Sequence, residues 1–221
     1  MDVMLTPMEV LLASRIDFSE DVLRLVKGAL SKEIEPYEEY VGFDGLAGVV
    51  GADEETNGKG FTVRLADTYD DTWHLDEIYR VRGLLPYGYS VFLTEDCNYR
   101  PGVTVLKTSD PYEIIRVQQT QGWDFQHRHY WIEDIIQVLR GWQKQCRMDL
   151  IGADYQNVKL ILKTLPDDLL RFAEEVNFLC WELDQVNDFG QYGDDPEENR
   201  IIAEKLAASL RETRRLYLWW D

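Results

Sequence analysis

The sequence predicts an α+β protein in which mixed β-sheet packs with helices, the C-terminal half running in αββααβ order. Three observations lead there. Amphipathic helical stripes follow recognisable N-caps, and short apolar runs bounded by glycine, proline or aspartate lie between them. No internal repeat or low-complexity linker interrupts the pattern. The 45% hydrophobic and 12% aromatic content supplies a core that a disordered acidic chain lacks.

Ser19 caps a helix running to about Leu30, with Glu20 and Asp21 in its positive first turn and Val22, Leu23, Leu25, Val26 and Leu30 as its apolar stripe. Between Gly42 and Gly60, glycines and acids suggest short strands, one near Leu46 to Val50, and an exposed loop at Asp53 to Lys59. Phe61 to Leu65 reads as a strand. A short helix follows from Leu75 to Leu84, stopped by Pro86. Tyr89 to Leu93 and Val103 to Leu106 read as a strand pair around a turn at Asn98 to Gly102. Ser109, Asp110 and Pro111 look like the cap and entry of another helix.

From Trp131 the helical period strengthens, with Ile132, Ile135, Ile136, Leu139 and Trp142 on one face. Asp149 to Ala153 and Val158 to Leu162 then read as strands. Pro166, with Asp167 and Asp168 in the first turn, is expected to open a helix whose Leu169, Phe172, Ala173, Val176 and Leu179 face inward. Asp194 or Asp195 caps the next one, Pro196 enters it, and Glu197 and Glu198 meet its positive end. The closing Leu216 to Trp220 is apolar on both strand faces, which predicts a central or well-covered strand. We therefore expect an N-terminal helical segment at 1–35, a mixed half at 36–130 and the αββααβ half at 131–221, packed as one unit.

The net charge of −18, from 41 acidic and 23 basic residues, is the most informative global quantity. Phosphate backbones and anionic membranes are bound through Lys and Arg, so nucleic acid and membrane are poor partners and a basic protein is favoured. The acids are also segregated: no Lys or Arg lies between Lys32 and Lys59, nor between Arg171 and Arg200. Fields of one sign steer a cationic partner. Two candidate partner-binding surfaces result. One holds Glu38, Glu39, Asp53, Glu54 and Glu55; the other holds Asp188, Asp194, Asp195, Glu197 and Glu198, with Phe189 and Tyr192 as aromatic anchors. Acid runs also serve solubility, which is the plainer reading of such segments.

The first residues lack a charged start and apolar stretch, and no apolar run approaches the roughly 18 residues of a bilayer span, so a cytoplasmic protein is expected. Cys97, Cys146 and Cys180 are odd in number and widely spaced, as suits reduced thiols.

No complete catalytic, metal-binding or nucleotide-binding motif is present, and no cofactor is implied. His127 and His129 have no Cys, Asp or Glu at zinc-ligand spacing and read as a polar loop before a helix. Gly58-Lys59-Gly60 lacks the other residues of a phosphate loop, and Asp188-Phe189-Gly190 lacks a kinase's companion motifs. Asp194, Asp195, Glu197 and Glu198 lack the ligand order of a calcium loop. His74, beside Asp76 and Glu77, is the one candidate general base; a His74 and carboxylate site makes an enzyme the alternative to a binding protein.

Gly141-Trp142, Asp149 to Ala153, Leu165-Pro166-Asp167-Asp168-Leu169 and the closing Leu210 to Asp221, ending Leu-Trp-Trp-Asp, together resemble the bacterial domain-of-unknown-function family catalogued as number 4253. The resemblance covers residues 90 to 221 and transfers no catalytic residue. This chain departs from it by an extended acidic segment, Asp184 to Glu198. In charge and lack of motifs the sequence is similar to small acidic immunity proteins, which implies an inhibitory binding protein that neutralises a cationic toxin or effector.

Overall fold

The computed structural model describes residues 3–37, 60–68, 72–96, 99–181 and 193–220. The protein is α+β, and its chain divides into two compact units, Met1–Gln118 and Gln119–Asp221.

The first unit begins with α1 (Pro7–Arg15) and α2 (Glu20–Leu30), followed by β1 (Glu35–Pro36), β2 (Gly60–Arg64), α3 (Leu75–Leu84), β3 (Ser90–Glu95), β4 (Pro101–Leu106) and the short α4 (Glu113–Val117). Its strands are antiparallel in the order β1-β2-β4-β3, with Phe61 opposite Val105 and Leu93 opposite Val103. Alternation places Phe61, Val63, Val91, Leu93, Val103 and Val105 on one face, all buried. The opposite face carries a polar row instead. Thr104 Oγ1 lies 2.7 Å from Thr62 Oγ1 and 2.6 Å from Thr94 Oγ1, so three buried hydroxyls satisfy one another across three strands.

Glu9 ties the N-terminal helices together. With Thr6 it forms a capping box on α1, and its buried carboxylate accepts from Lys27 Nζ of α2 at 2.7 and 2.8 Å and from the Ile34 amide at 3.1 Å. Burial by itself would raise its pKa; the Lys27 ammonium and the Thr6 and Ile34 amides outweigh burial and hold it below the ordinary glutamate value.

The second unit runs β5 (Gly122–Trp123), β6 (His129–Tyr130), α5 (Ile132–Trp142), β7 (Met148–Ala153), β8 (Asn157–Leu162), α6 (Leu169–Leu179), α7 (Pro196–Thr213) and β9 (Arg215–Trp219). After the β5–β6 hairpin this is the expected αββααβ order. β7, β8 and β9 form antiparallel ladders with an irregularity between Leu150 and Gly152. Ile135, Ile136, Leu139 and Trp142 of α5 are buried, with Trp142 edge-on to Phe172 of α6 at 5.2 Å. α6 and α7 pack together, α7 burying Ile202, Ala203, Leu206, Ala207 and Leu210.

Four expectations change. α1 was not anticipated, although Thr6-Pro7-Met8-Glu9 spells its capping box. Pro111 does not enter a helix: Asp110 Oδ1 accepts the Tyr112 amide and Oδ2 takes Arg116, a side-chain turn that delays α4 to Glu113. Pro166 is likewise outside α6, because Asp168 is the N-cap, accepting the Arg171 amide at 3.1 Å. The closing strand is not central: β9 pairs with β8 and ends the sheet order, Leu216 and Leu218 buried on one face while Tyr217 and Trp219 are half-buried on the other. The expected strand at Leu46 to Val50 and the loop at Asp53 to Lys59 lie outside the described residues.

Candidate functional site

Of the twelve residues proposed from sequence as partner contacts, Glu38, Glu39, Asp53, Glu54, Glu55, Asp188, Phe189 and Tyr192 lie outside the described residues. Asp194, Asp195, Glu197 and Glu198 are exposed together at the start of α7. Asp195 is the N-cap and accepts the Glu197 and Glu198 amides at 2.8 and 3.4 Å. The carboxylates of Asp194, Glu197 and Glu198 have no cationic partner among the described residues, so their charge faces water.

His74 is the N-cap of α3 in a left-handed conformation, φ 45°, with Nδ1 3.9 Å from Glu77 Oε2. Asp76 and Glu77 occupy the first turn of α3, where carboxylates favour the positive helix end. Helix initiation thus accounts for both acids.

Sequence reading missed the β5–β6 hairpin, whose residues it assigned to a polar loop. Its turn is organised by Asp124, a fully buried carboxylate. Oδ1 accepts the Gln126 and Arg128 amides at 2.9 and 3.0 Å, Oδ2 takes the Arg128 guanidinium at 3.0 Å, and the Asp124 amide donates to the Arg128 carbonyl at 3.1 Å. His127 adopts φ 57° to complete the turn. The Phe125 amide donates to the Phe178 carbonyl, anchoring the hairpin to α6. The legible signal was Asp124 within an aromatic run, Trp123 to Trp131, preceded by Gly122.

The two faces of the hairpin differ. On one, the Arg128 guanidinium lies over the Tyr130 ring at 4.7 Å and donates to its hydroxyl. Burial raises the Tyr130 phenol above its ordinary pKa despite that cation. These two residues join Val138 and Trp142 of α5 and Arg171, Glu174, Glu175, Phe178 and Leu179 of α6 around a cleft of about 470 Å³. Two guanidiniums and two carboxylates share its rim, so it carries no net preference for either sign.

The other face is aromatic. Trp123 and His129, paired across the hairpin, stack at 4.2 Å, and Trp131 meets His129 edge-on at 3.9 Å. Trp123 is 42% and Trp131 63% exposed, far from the core pattern of Trp142 and Trp220. His127 of the same turn meets Trp181 edge-on at 6.1 Å.

No group of three or more His, Cys, Asp or Glu side chains converges as metal ligands among the described residues, and no helix among them is long and apolar enough to cross a membrane. The described surface carries three distinct features: an exposed acidic helix start, a mixed-charge cleft and an aromatic ridge.

Residues 102–221, more than half of the chain, match the family described as Domain of unknown function (DUF4253). The chain belongs to that family, the match running from β4 to the final residue. No curated protein and no solved structure matches it.

Proposed function

We propose that this is an acidic binding protein that recognises a cationic protein partner, acting in the cytoplasm as an immunity protein does when it neutralises a toxin or effector. The observation that carries the reading is how the charges are spent. Eight of the described cations are paired with carboxylates within their own units: Lys27 with Glu9, Arg24 with Glu20 and Asp21, Arg100 with Asp96, Lys107 with Asp17, Arg116 with Asp110, Arg128 with Asp124, Lys163 with Asp149 and Arg200 with Glu204. Those pairs neutralise cations within the protein, and the chain as a whole keeps 18 more acidic than basic residues. A surplus of that size accelerates encounter with a positive surface and disfavours polyanions. Cys146 and Cys180, buried thiols in no disulfide among the described residues, suit a reducing compartment.

The test is capture on the immobilised protein from extracts of its source organism, with salt elution, followed by expression of each captured protein with and without this one. The reading expects a basic protein, released by salt, whose toxicity is relieved by co-expression. Captured proteins that are acidic, salt-insensitive and harmless contradict it.

A further inference from the structure

We infer that Trp123, His129 and Trp131 form a ridge that receives the arginine and lysine side chains of a basic polypeptide. This inference rests on the proposed function and gives it a contact surface. Two exposed indoles, each in contact with the His129 ring, make an exposed aromatic patch rather than a scattered surface residue. The imidazole fills the gap between the indoles, and its buried Nε2 has no hydrogen-bond partner, so the ring serves as a spacer in the stack rather than as a polar group engaged elsewhere.

The platform is rigid. A two-stranded hairpin of this size is marginal alone, but the Asp124 turn and the Phe125 to Phe178 bond hold it in place. Preformed rings lose little entropy on contact, which is why tryptophan dominates binding hot spots.

The charge decides the occupant. Aromatic faces carry negative potential and attract ammonium and guanidinium groups, most strongly for tryptophan. The ridge is followed by Glu133 and Asp134 in the first turn of α5, and it belongs to a chain of net charge −18. Nucleobases also stack on such rings, but their phosphates are repelled by that charge.

The test uses a labelled peptide of nine arginines and the full chain. Binding is followed by anisotropy and by the indole N–H resonances of Trp123 and Trp131. The Trp123→Ala/Trp131→Ala variant, with its fold checked by circular dichroism, is expected to bind about tenfold more weakly, the contribution of a partly desolvated cation–π contact. In the parent the two indole resonances shift on binding. A variant that binds as tightly as the parent overturns the ridge; if Asp194→Lys/Glu197→Lys/Glu198→Lys is weakened in the same assay, the proposed function still stands. A parent with no affinity for the peptide overturns both. Self-association of the parent that the tryptophan substitutions abolish, with peptide binding unchanged, replaces the basic polypeptide by a second copy of this chain and also overturns the inference.

Discussion

Asp124 and Arg128 hold the β5–β6 turn closed by a two-sided grip, the carboxylate taking both the Arg128 amide and its guanidinium at 3.0 Å. The two halves of that grip differ in worth. The guanidinium side chain is 64% exposed, so its pairing with the acid contributes little by itself. The amides of Gln126 and Arg128 have their acceptor in the buried carboxylate, and they set the shape that presents Trp123, His129 and Trp131.

Asp124→Ala removes that acceptor. Because those amides are only part-buried, losing their acceptor is expected to cost about 1 kcal/mol, the low end of the range for an unsatisfied donor, read as a lowered urea midpoint. Asp124→Asn, which keeps one oxygen for the amides, is expected to lose less. Equal losses would show that the guanidinium pair rather than the turn amides carries the effect.

Glu9 predicts a pH dependence. Its folded pKa is depressed, so its contribution is fully present above the unfolded glutamate value of about 4.3 and is lost as pH falls through the lower folded value. Glu9→Gln is therefore less stable than the parent near neutrality, and the gap narrows as pH is lowered below about 4. Denaturation midpoints between neutral and acid pH measure it; a constant gap contradicts the assignment.

Gly122 is required by Trp220. A Cβ at Gly122 would lie 2.5 Å from two atoms of the indole, and that indole is buried and fixed by its Nε1–H to the Leu179 carbonyl at 3.0 Å. Gly122→Ala is expected to destabilise the protein by about 1–3 kcal/mol through overpacking and to change the near-ultraviolet dichroism. A neutral outcome would mean that the ring moves freely.

The thiols of Cys146 and Cys180 are expected to be inert. Burial raises the Cys146 pKa, and Cys180 Sγ sits between the Trp219 amide and carbonyl at 3.1 and 2.8 Å. Since the thiolate is the nucleophile, maleimide labelling at these positions should await unfolding in urea, as mass spectrometry of digests will read. Rapid native labelling contradicts their burial.

The sequence was most legible where one local rule decided the structure. α3 runs from Leu75 to Leu84 as expected because Pro86 and the apolar spacing agree, and α7 starts at Pro196 because Asp195 and the proline act together. Helix starts failed at Pro111 and Pro166, where aspartate side chains captured amides two or three residues on. The closing strand misled because apolar residues on both faces resemble central burial, whereas β9 half-covers its second face. The ridge was invisible for another reason. Trp123 and Trp131 are eight positions apart, and only the Asp124 turn sets them on either side of His129.

The central claim is that uncompensated carboxylates recruit a positive partner. The most direct measurement is the salt dependence of nona-arginine affinity for the parent and for Asp194→Lys/Glu197→Lys/Glu198→Lys, beside a control in which Asp76, Asp167 and Glu212 are reversed. The account predicts a steep loss of affinity with salt in the parent and the control, and a markedly shallower one in the α7 variant. Identical slopes in all three would contradict it.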